Sequence, residues 1–283
     1  MSTVKNFIKI DLNIGDQLTS ISCGHIVVEI IKFLAYQRLQ IPYTYQWLKE
    51  IVNKRKACEN IKESFQSERH FRTASTALNN LDFIIKSLLK EIGGASVPEE
   101  ICIALGSTPI TCKEVYRLIL PTSCHMPQCH SSNIASDQKI QRTVFKNLVT
   151  SEKLSEIFFN SISPTNMYVF LKKNPLSNQD IVCGDSFVIV NGYKLPRSCK
   201  VIVLDFKAQN PENISCCNKF QVFGDVISKN FDNLSINSND SGNNFNNIES
   251  TDETKWFQST YIMKGFKDCV VNGSSVTNAW CES

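Results

Sequence analysis

The apolar pattern of residues 17–40 restricts the fold more than any other part of the sequence. Cys23, Val27, Ile30 and Leu34 recur at helical spacing, and apolar neighbours widen this stripe over most of the helix surface. A helix that is apolar on most sides is buried on most sides. The chain must therefore build other layers around this helix, and its 283 residues with a hydrophobic content of 42% suffice for that.

Helical spacing of apolar residues also predicts one short helix and two further long ones, at about residues 44–53, 68–92 and 136–160. Gly93 and Gly94 end the second long helix, and Thr150 or Ser151 is expected to bend or interrupt the third. The polar and charged residues 54–68 predict a solvated loop before the second long helix.

Short runs of β-branched and aromatic residues predict strands at residues 99–106, 165–172, 185–191, 199–206 and 255–266. Thr111 and Glu114 have the spacing of a capping box and predict a further helix that begins before Val115. Three long helices with such strands are typical of an α+β fold, in which the helices pack on one face of a mainly antiparallel sheet. Residues 228–254 are rich in Asn, Ser and Asp and are predicted to form a disordered insertion.

The composition argues against two kinds of partner. A net charge of +3 without a basic face gives no reason to expect a nucleic-acid partner. No run reaches the ~18 apolar residues of a membrane span, and the first residues lack the apolar core of a signal peptide. Many of the 12 cysteines lie in apolar segments, which is typical of reduced thiols in a protein core. We therefore expect a soluble intracellular protein with no membrane partner.

The sequence carries no motif for nucleotide binding, nucleophilic hydrolysis or zinc proteolysis, so no catalytic residue and no cofactor is predicted. The strongest cluster of ligand-type residues begins with Cys124 and ends with His130. Zinc binds such side chains, but structural zinc sites usually combine two separated half-sites, and the sequence offers no second one. A surface loop is the favoured interpretation, and a zinc module built on Cys124 and His130 is an alternative.

Two side chains fit the core pattern poorly. Gln37 lies near the end of the apolar first helix, where a solvent-facing position would explain it. Phe145 lies beside the stripe that contains Val144 and Leu148, where ordinary core packing would explain it. An aromatic side chain at the margin of a core is, however, a frequent anchor of protein–protein interfaces. Both residues are therefore candidates for partner binding.

Motifs spread along the chain resemble the comet family of spindle-checkpoint proteins. They are Tyr36-Gln37-Arg38-Leu39-Gln40, Lys113-Glu114-Val115-Tyr116, Arg142-Thr143-Val144-Phe145-Lys146, Trp256-Phe257-Gln258 and Lys264-Gly265-Phe266. The resemblance covers about residues 18–266 apart from the polar insertion. It implies a HORMA-like fold with C-terminal safety-belt strands, in a single domain at residues 17–266. An N-terminal extension at 1–16 and a tail at 267–283 flank this domain.

The resemblance also implies a non-enzymatic adaptor function. Comet proteins bind the closed conformer of the mitotic-arrest-deficient-two protein (Mad2) and bring it to a hexameric AAA+ ATPase of the Pch2 type. This ATPase remodels Mad2, so that mitotic checkpoint complexes come apart and the checkpoint is silenced. By likeness, Gln37 and Phe145 contact Mad2 on a face that includes the third helix. The implied location is the nucleus and cytoplasm, with the spindle and kinetochore in mitosis.

Two further sites follow from the resemblance. Trp256, Phe257 and Gln258 would occupy the ligand seat of the chain's own belt. The ATPase contact would lie near residues 187–196, where Lys194 and Arg197 keep a basic character and Ile189-Val190 departs from the family pattern. The alternative is a HORMA protein that grips the closure peptide of a partner in an empty belt.

Overall fold

The computed structural model describes residues 7–12, 18–57, 64–94, 97–121, 137–173, 184–194, 198–206, 255–271 and 273–282. The insertion predicted at 228–254, the Cys124 and His130 pair and Arg197 lie outside these residues. Six helices are present in the described ranges: α1 Ser20–Gln37, α2 Tyr45–Ala57, α3 Phe65–Ile92, α4 Asp137–Val149, α5 Glu152–Phe159 and α6 Val276–Glu282. None of the described helices is long and apolar enough to cross a membrane.

Side-chain caps set where three of these helices begin. The Thr19 hydroxyl accepts a hydrogen bond from the Ser22 amide at the start of α1, and Ser64 caps α3 in the same way. Because Ser64 starts α3 early and α2 continues to Ala57, the loop predicted at 54–68 is shorter than expected. Ser151 caps α5, which explains why the predicted third long helix is interrupted near Thr150.

Eight strands form one mixed sheet: β1 Phe7–Asp11, β2 Glu100–Gly106, β3 Cys112–Ile119, β4 Asn166–Lys173, β5 Phe187–Ile189, β6 Lys200–Asp205, β7 Lys255–Ser259 and β8 Met263–Lys264. Their order is β1-β6-β3-β2-β4-β7-β5, and β8 pairs with β4 beyond the end of β7. β6 pairs in parallel with β1 and with β3, while the other pairings are antiparallel. The prediction of an α+β fold with a mainly antiparallel sheet is confirmed.

The helix predicted from Thr111 and Glu114 is wrong, because these residues precede and form part of strand β3. Glu114 does not cap a helix; its buried carboxylate pairs with Arg38, which follows the end of α1. Tyr116 shares the helix-facing side of the strand with Glu114, and Val115 faces the other side. Packing against both faces of the strand therefore outweighed the local capping motif.

The main core lies between the helices and one face of the sheet. In β2, Ile101, Ile103 and Leu105 point into this core, while Cys102 and Ala104 face the opposite side. That second face has its own smaller apolar cluster, covered in part by Tyr193 and Trp256. β2 is therefore buried on both sides, which its almost continuous apolar sequence requires.

Residues outside the expected domain also contribute to the fold. β1 lies within the expected N-terminal extension and pairs with β6 along the edge of the sheet. The expected tail forms a small hairpin, β9 Val270–Val271 with β10 Ser274–Ser275, followed by α6. Trp280 of α6 is 2% exposed and belongs to the main core.

Candidate protein-binding site

The candidate partner-binding face is formed by the end of α1 and the outer side of α4. Ile140, Val144 and Leu148 of α4 recur every four residues and are buried in the main core. Phe145 follows Val144 and is therefore turned to the margin of the core, where it is half-buried. Its ring packs edge-on against Phe33 of α1, with the ring centroids 5.7 Å apart.

Gln37 lies on the same face of α1 as Phe33, because residues four apart in a helix are neighbours on its surface. Gln37 is exposed, and Tyr36 beside it is 39% exposed. The structure thus places both predicted contact residues at the junction of α1 and α4, one free in solvent and one half-buried.

A groove of about 270 Å³ opens beside Phe145, lined by Glu29, Lys32, Phe33, Tyr36, Thr44, Tyr45, Gln46 and Phe145. The Lys32 ammonium donates to Glu29 Oε1 at 2.6 Å and lies 4.6 Å from the centre of the Tyr45 ring. Charges are therefore paired at the margin of the groove, and aromatic rings form much of its lining. Such a surface suits an apolar side chain of a partner protein.

The turn after α1 explains the rest of the motif that contains Gln37. Leu39 has a positive φ of 55°, which ends the helix and turns its side chain outward, where it is 50% exposed. Arg38 and Gln40 on either side are fully buried. The Gln40 side chain accepts a hydrogen bond from the Thr165 amide at 2.7 Å, and its backbone oxygen accepts one from Phe266. The motif therefore alternates between surface and anchoring positions.

Gly265 in the C-terminal motif lies against the same turn. A Cβ atom at this position would meet the Thr165 carbonyl oxygen at 2.7 Å and the Gln40 Oε1 atom at 2.8 Å. No side chain fits between these groups, so the Lys264-Gly265-Phe266 motif has a packing reason.

The three residues predicted for the belt strand lie in β7, which is inserted between β4 and β5 and pairs antiparallel with both. Phe257 is 1% exposed and packs in the main core, while Trp256 is half-buried in the second cluster. The Trp256 ring lies edge-on to Tyr193, with centroids 5.2 Å apart. Gln258 is half-buried and lies opposite Phe170 of β4. The strand expected at 255–266 is divided into β7 and β8.

Lys194 is exposed and follows Tyr193, whose ring stacks on Phe170 at 4.2 Å. Val188 and Ile189 on the nearby edge strand β5 are about half exposed. This side of the sheet is separate from the α1–α4 face, so the structure does not bring Lys194 together with Gln37 and Phe145.

Cys102 and Cys112 are buried thiols of the second cluster. Burial raises the pKa of Cys102, and it raises the pKa of Cys112 to about 12. The thiolate is the nucleophilic and metal-binding form, so these cysteines act as apolar core side chains. Among the described residues, no group of three or more His, Cys, Asp and Glu side chains could hold a metal ion.

Sequence reasoning missed the polar cluster that holds the C-terminal segment. Asp268 accepts hydrogen bonds from the Tyr43 hydroxyl at 2.9 Å and the Ser275 hydroxyl at 2.6 Å, and also from Thr277. His70 of α3 lies 3.1 Å from the Thr277 oxygen. Trp280, together with the apolar Val270, Val271 and Val276, was the signal in the tail that could have indicated an ordered element.

A comparison with curated protein sequences finds no match. A comparison with protein families gives one result that covers more than half of the chain. Residues 13–187 match the model of the p31comet family, described as Mad1 and Cdc20-bound-Mad2 binding, and the chain belongs to this family of Mad2-binding adaptors.

Proposed function

We propose that this chain binds the closed conformer of Mad2 through the α1–α4 face and presents it to a Pch2-type AAA+ ATPase. The remodelling of Mad2 would then take mitotic checkpoint complexes apart and silence the checkpoint. The proposed location is the nucleus and cytoplasm, with recruitment to the spindle and kinetochore in mitosis. The observation that carries the proposal is the half-buried Phe145 beside an apolar groove, in a family that binds Mad2.

The face supports recognition of a partner without catalysis. Phe145 is held from behind by Phe33, so its ring is ordered before binding and loses little entropy on docking. Exposed Gln37 supplies a polar contact next to it, which would fix the register of the partner. An aromatic anchor with an adjacent polar group is the usual composition of an interface hot spot.

The test compares Phe145→Ala with Phe83→Ala in binding to Mad2 locked in its closed or open form. Phe83 is a matched control, because it is a half-exposed aromatic residue on α3 that stacks on Tyr261. We expect Phe145→Ala to weaken closed-Mad2 binding by about 2 kcal/mol, as truncated interface anchors do, and Phe83→Ala to leave it unchanged. Calorimetric titration measures the two affinities.

A folded Phe145→Ala variant that binds closed Mad2 like wild type would place the interface elsewhere. A loss of ~3–5 kcal/mol in unfolding free energy would instead assign Phe145 to the core. Equal binding of both conformers would contradict the proposed selectivity.

The β7 strand supports the proposal of a self-occupied belt. It fills the position between β4 and β5, buries Phe257 and leaves no adjacent open edge on β4 along the paired residues. A closure peptide from a partner would have to displace it. The alternative peptide-gripping function predicts that added peptides compete with β7, whereas the self-occupied belt predicts none will bind to the intact protein.

Lys194 supports the proposed ATPase contact, since it is exposed and lies away from the Mad2-binding face. We expect Lys194→Glu to slow the ATPase-driven release of Mad2 while the affinity for closed Mad2 stays unchanged. Lys86→Glu on α3 is the control for a charge change alone. Unaltered release with Lys194→Glu would exclude this residue from the contact.

A further inference from the structure

Arg38 is a fully buried cation at the end of α1. Its guanidinium forms a two-pronged ion pair with Glu114 of β3, with Nε 2.9 Å from Oε2 and Nη2 2.8 Å from Oε1. The Tyr116 hydroxyl donates to the same carboxylate at 2.7 Å. A buried ion pair is stable only when its remaining donors are also satisfied, so the other guanidinium hydrogens decide what the pair does.

These remaining donors hold the end of α5. Arg38 Nη1 lies 3.3 Å from the Ile157 carbonyl oxygen and 3.4 Å from that of Phe158, and Nη2 lies 2.7 Å from that of Asn160. The last carbonyls of a helix lack partners within the helix and carry partial negative charge. One guanidinium therefore fastens the end of α1 and the end of α5 to strand β3.

The two ends that Arg38 joins carry exposed side chains. Gln37 precedes Arg38 and is exposed, and Leu39 follows it and is 50% exposed. On α5, Phe159 lies between two residues whose carbonyls bind Arg38, and it is 89% exposed. The Phe159 ring is thus exposed to solvent at the end of α5, which the buried ion pair holds in place.

A series of aromatic contacts connects Arg38 with Phe145. The Phe158 ring lies 5.5 Å from the Arg38 guanidinium and packs edge-on against Phe33 at 5.9 Å. Phe33 in turn packs against Phe145. Arg38, Phe158, Phe33 and Phe145 therefore form a continuous series of contacts from the end of α5 to the proposed Mad2-binding groove.

We propose that Phe159 is a second anchor for Mad2 and that Arg38 is the positioning residue that fastens the end of α5, which carries Phe159, to the end of α1. The inference rests on the proposed Mad2-binding function and extends its surface from α4 to the end of α5. Rigid presentation matters because a side chain that is already ordered loses less entropy when the partner docks.

The first measurement is the affinity of the full-length chain for closed Mad2. Phe159→Ala should raise Kd about tenfold or more, as loss of an aromatic anchor does. Because Phe159 is 89% exposed, this substitution should leave thermal stability nearly unchanged. Arg38→Lys keeps the charge but loses the two-pronged geometry, and should also raise Kd under conditions where the variant is fully folded.

Arg117→Lys is the matched control for a lost arginine–carboxylate pair. Arg117 lies on β3, as Glu114 does, and forms a two-pronged pair with Glu100, but its side chain lies on the sheet face away from the helices. The Arg117→Lys variant should have a lower free energy of unfolding and an unchanged Kd for closed Mad2. Amide exchange of Ile157, Phe158 and Asn160 should become faster in Arg38→Lys and not in Arg117→Lys.

The double variant with Arg38→Lys and Phe159→Ala tests whether Arg38 acts through Phe159. It should bind about as weakly as Phe159→Ala alone, because the positioned side chain is already absent. Additive losses would overturn the positioning role, and wild-type affinity of Phe159→Ala would overturn the second anchor. In either case a loss of binding by Phe145→Ala would leave the proposed function intact, whereas no binding by wild type would refute that function itself.

Discussion

His70 is a buried ionisable side chain where the C-terminal segment meets α3. It is 7% exposed and touches Asp268 at 3.2 Å and Thr277 at 3.1 Å. The Thr277 hydroxyl donates to Asp268, so its oxygen accepts the Nε2–H of a neutral imidazole. Burial lowers the pKa of His70 below its ordinary value of about 6.5, and this outweighs the opposing effect of Asp268.

This pKa shift predicts a pH-dependent stability. As the pH falls below about 6.5 the unfolded chain binds a proton at His70 before the folded chain does, so the free energy of unfolding decreases. Hydrogen bonds from Ser275, Thr277 and Tyr43 outweigh burial and lower the pKa of Asp268, so its contribution is lost only below about pH 4.

Urea unfolding of wild type and His70→Gln at pH 7.5, 6.5 and 5.5 measures the effect. The decrease in unfolding free energy between the first and last pH should be smaller in the variant. Identical slopes would mean that His70 is not responsible.

The sequence was sufficient to predict the exposed position of Gln37 and the marginal position of Phe145, because both follow from helical spacing around apolar neighbours. It was not sufficient to predict the buried ion pair between Arg38 and Glu114. Each charge is favourable inside the protein only because the other is present 76 positions away, and local patterns carry no information about such a pair.

At the scale of elements, β7 is an interior strand whose two faces differ in burial. Phe257 is 1% exposed and Trp256 is half-buried, so the two adjacent aromatics provide a matched comparison. Phe257→Ala should lower the unfolding free energy by ~3–5 kcal/mol, as truncation of a core aromatic does, and Trp256→Ala should lower it less. Chemical denaturation measures both free energies. A larger effect for Trp256→Ala would contradict the observed orientation of β7, in which Phe257 points into the main core.

Hydrogen exchange tests whether β7 stays in the sheet. The Val190 amide donates to the Trp256 oxygen at 2.8 Å, and the Thr260 amide donates to the Ser186 oxygen at 2.9 Å. We expect the amides of β7 to exchange as slowly as those of β2, since both strands are paired on two sides. Exchange as rapid as in the turn at residues 107–111 would favour an open belt that accepts partner peptides.

Helices with a strong apolar period were predicted correctly, and the short elements β1 and α6 were not. α1 and α3 follow from their stripes, and the break before α5 follows from Ser151. β1 and α6 are short and are held by long-range contacts, such as the pairing with β6 and the hydrogen bond from Trp280 to Ser67 at 3.1 Å. Their stability is a property of the assembled molecule and not of their local sequence.

At the scale of the whole molecule, the family match covers only part of the sheet. The match ends at residue 187, before β6, β7 and the C-terminal segment. These later residues nevertheless complete the sheet and bury Trp280 in the main core. The domain that binds Mad2 therefore depends for its stability on residues beyond the matched region.

The connection between β6 and β7 provides the last prediction. Four strand spacings, about 19 Å, separate β6 from β7 in the sheet. Removal of residues 228–254 leaves roughly twenty residues in this connection, which extend over as much as about 70 Å and can span that distance. Because loop-closure entropy varies only slowly with length, the deletion should change stability by less than about 1 kcal/mol and leave the Kd for closed Mad2 unchanged.

A variant with a Gly/Ser stretch of equal length in place of 228–254 separates the effect of sequence from the effect of length. If the deletion variant unfolds or loses Mad2 while the Gly/Ser variant does not, the connection needs its length; if both fail, residues 228–254 take part in the fold or the interface, and the prediction is wrong.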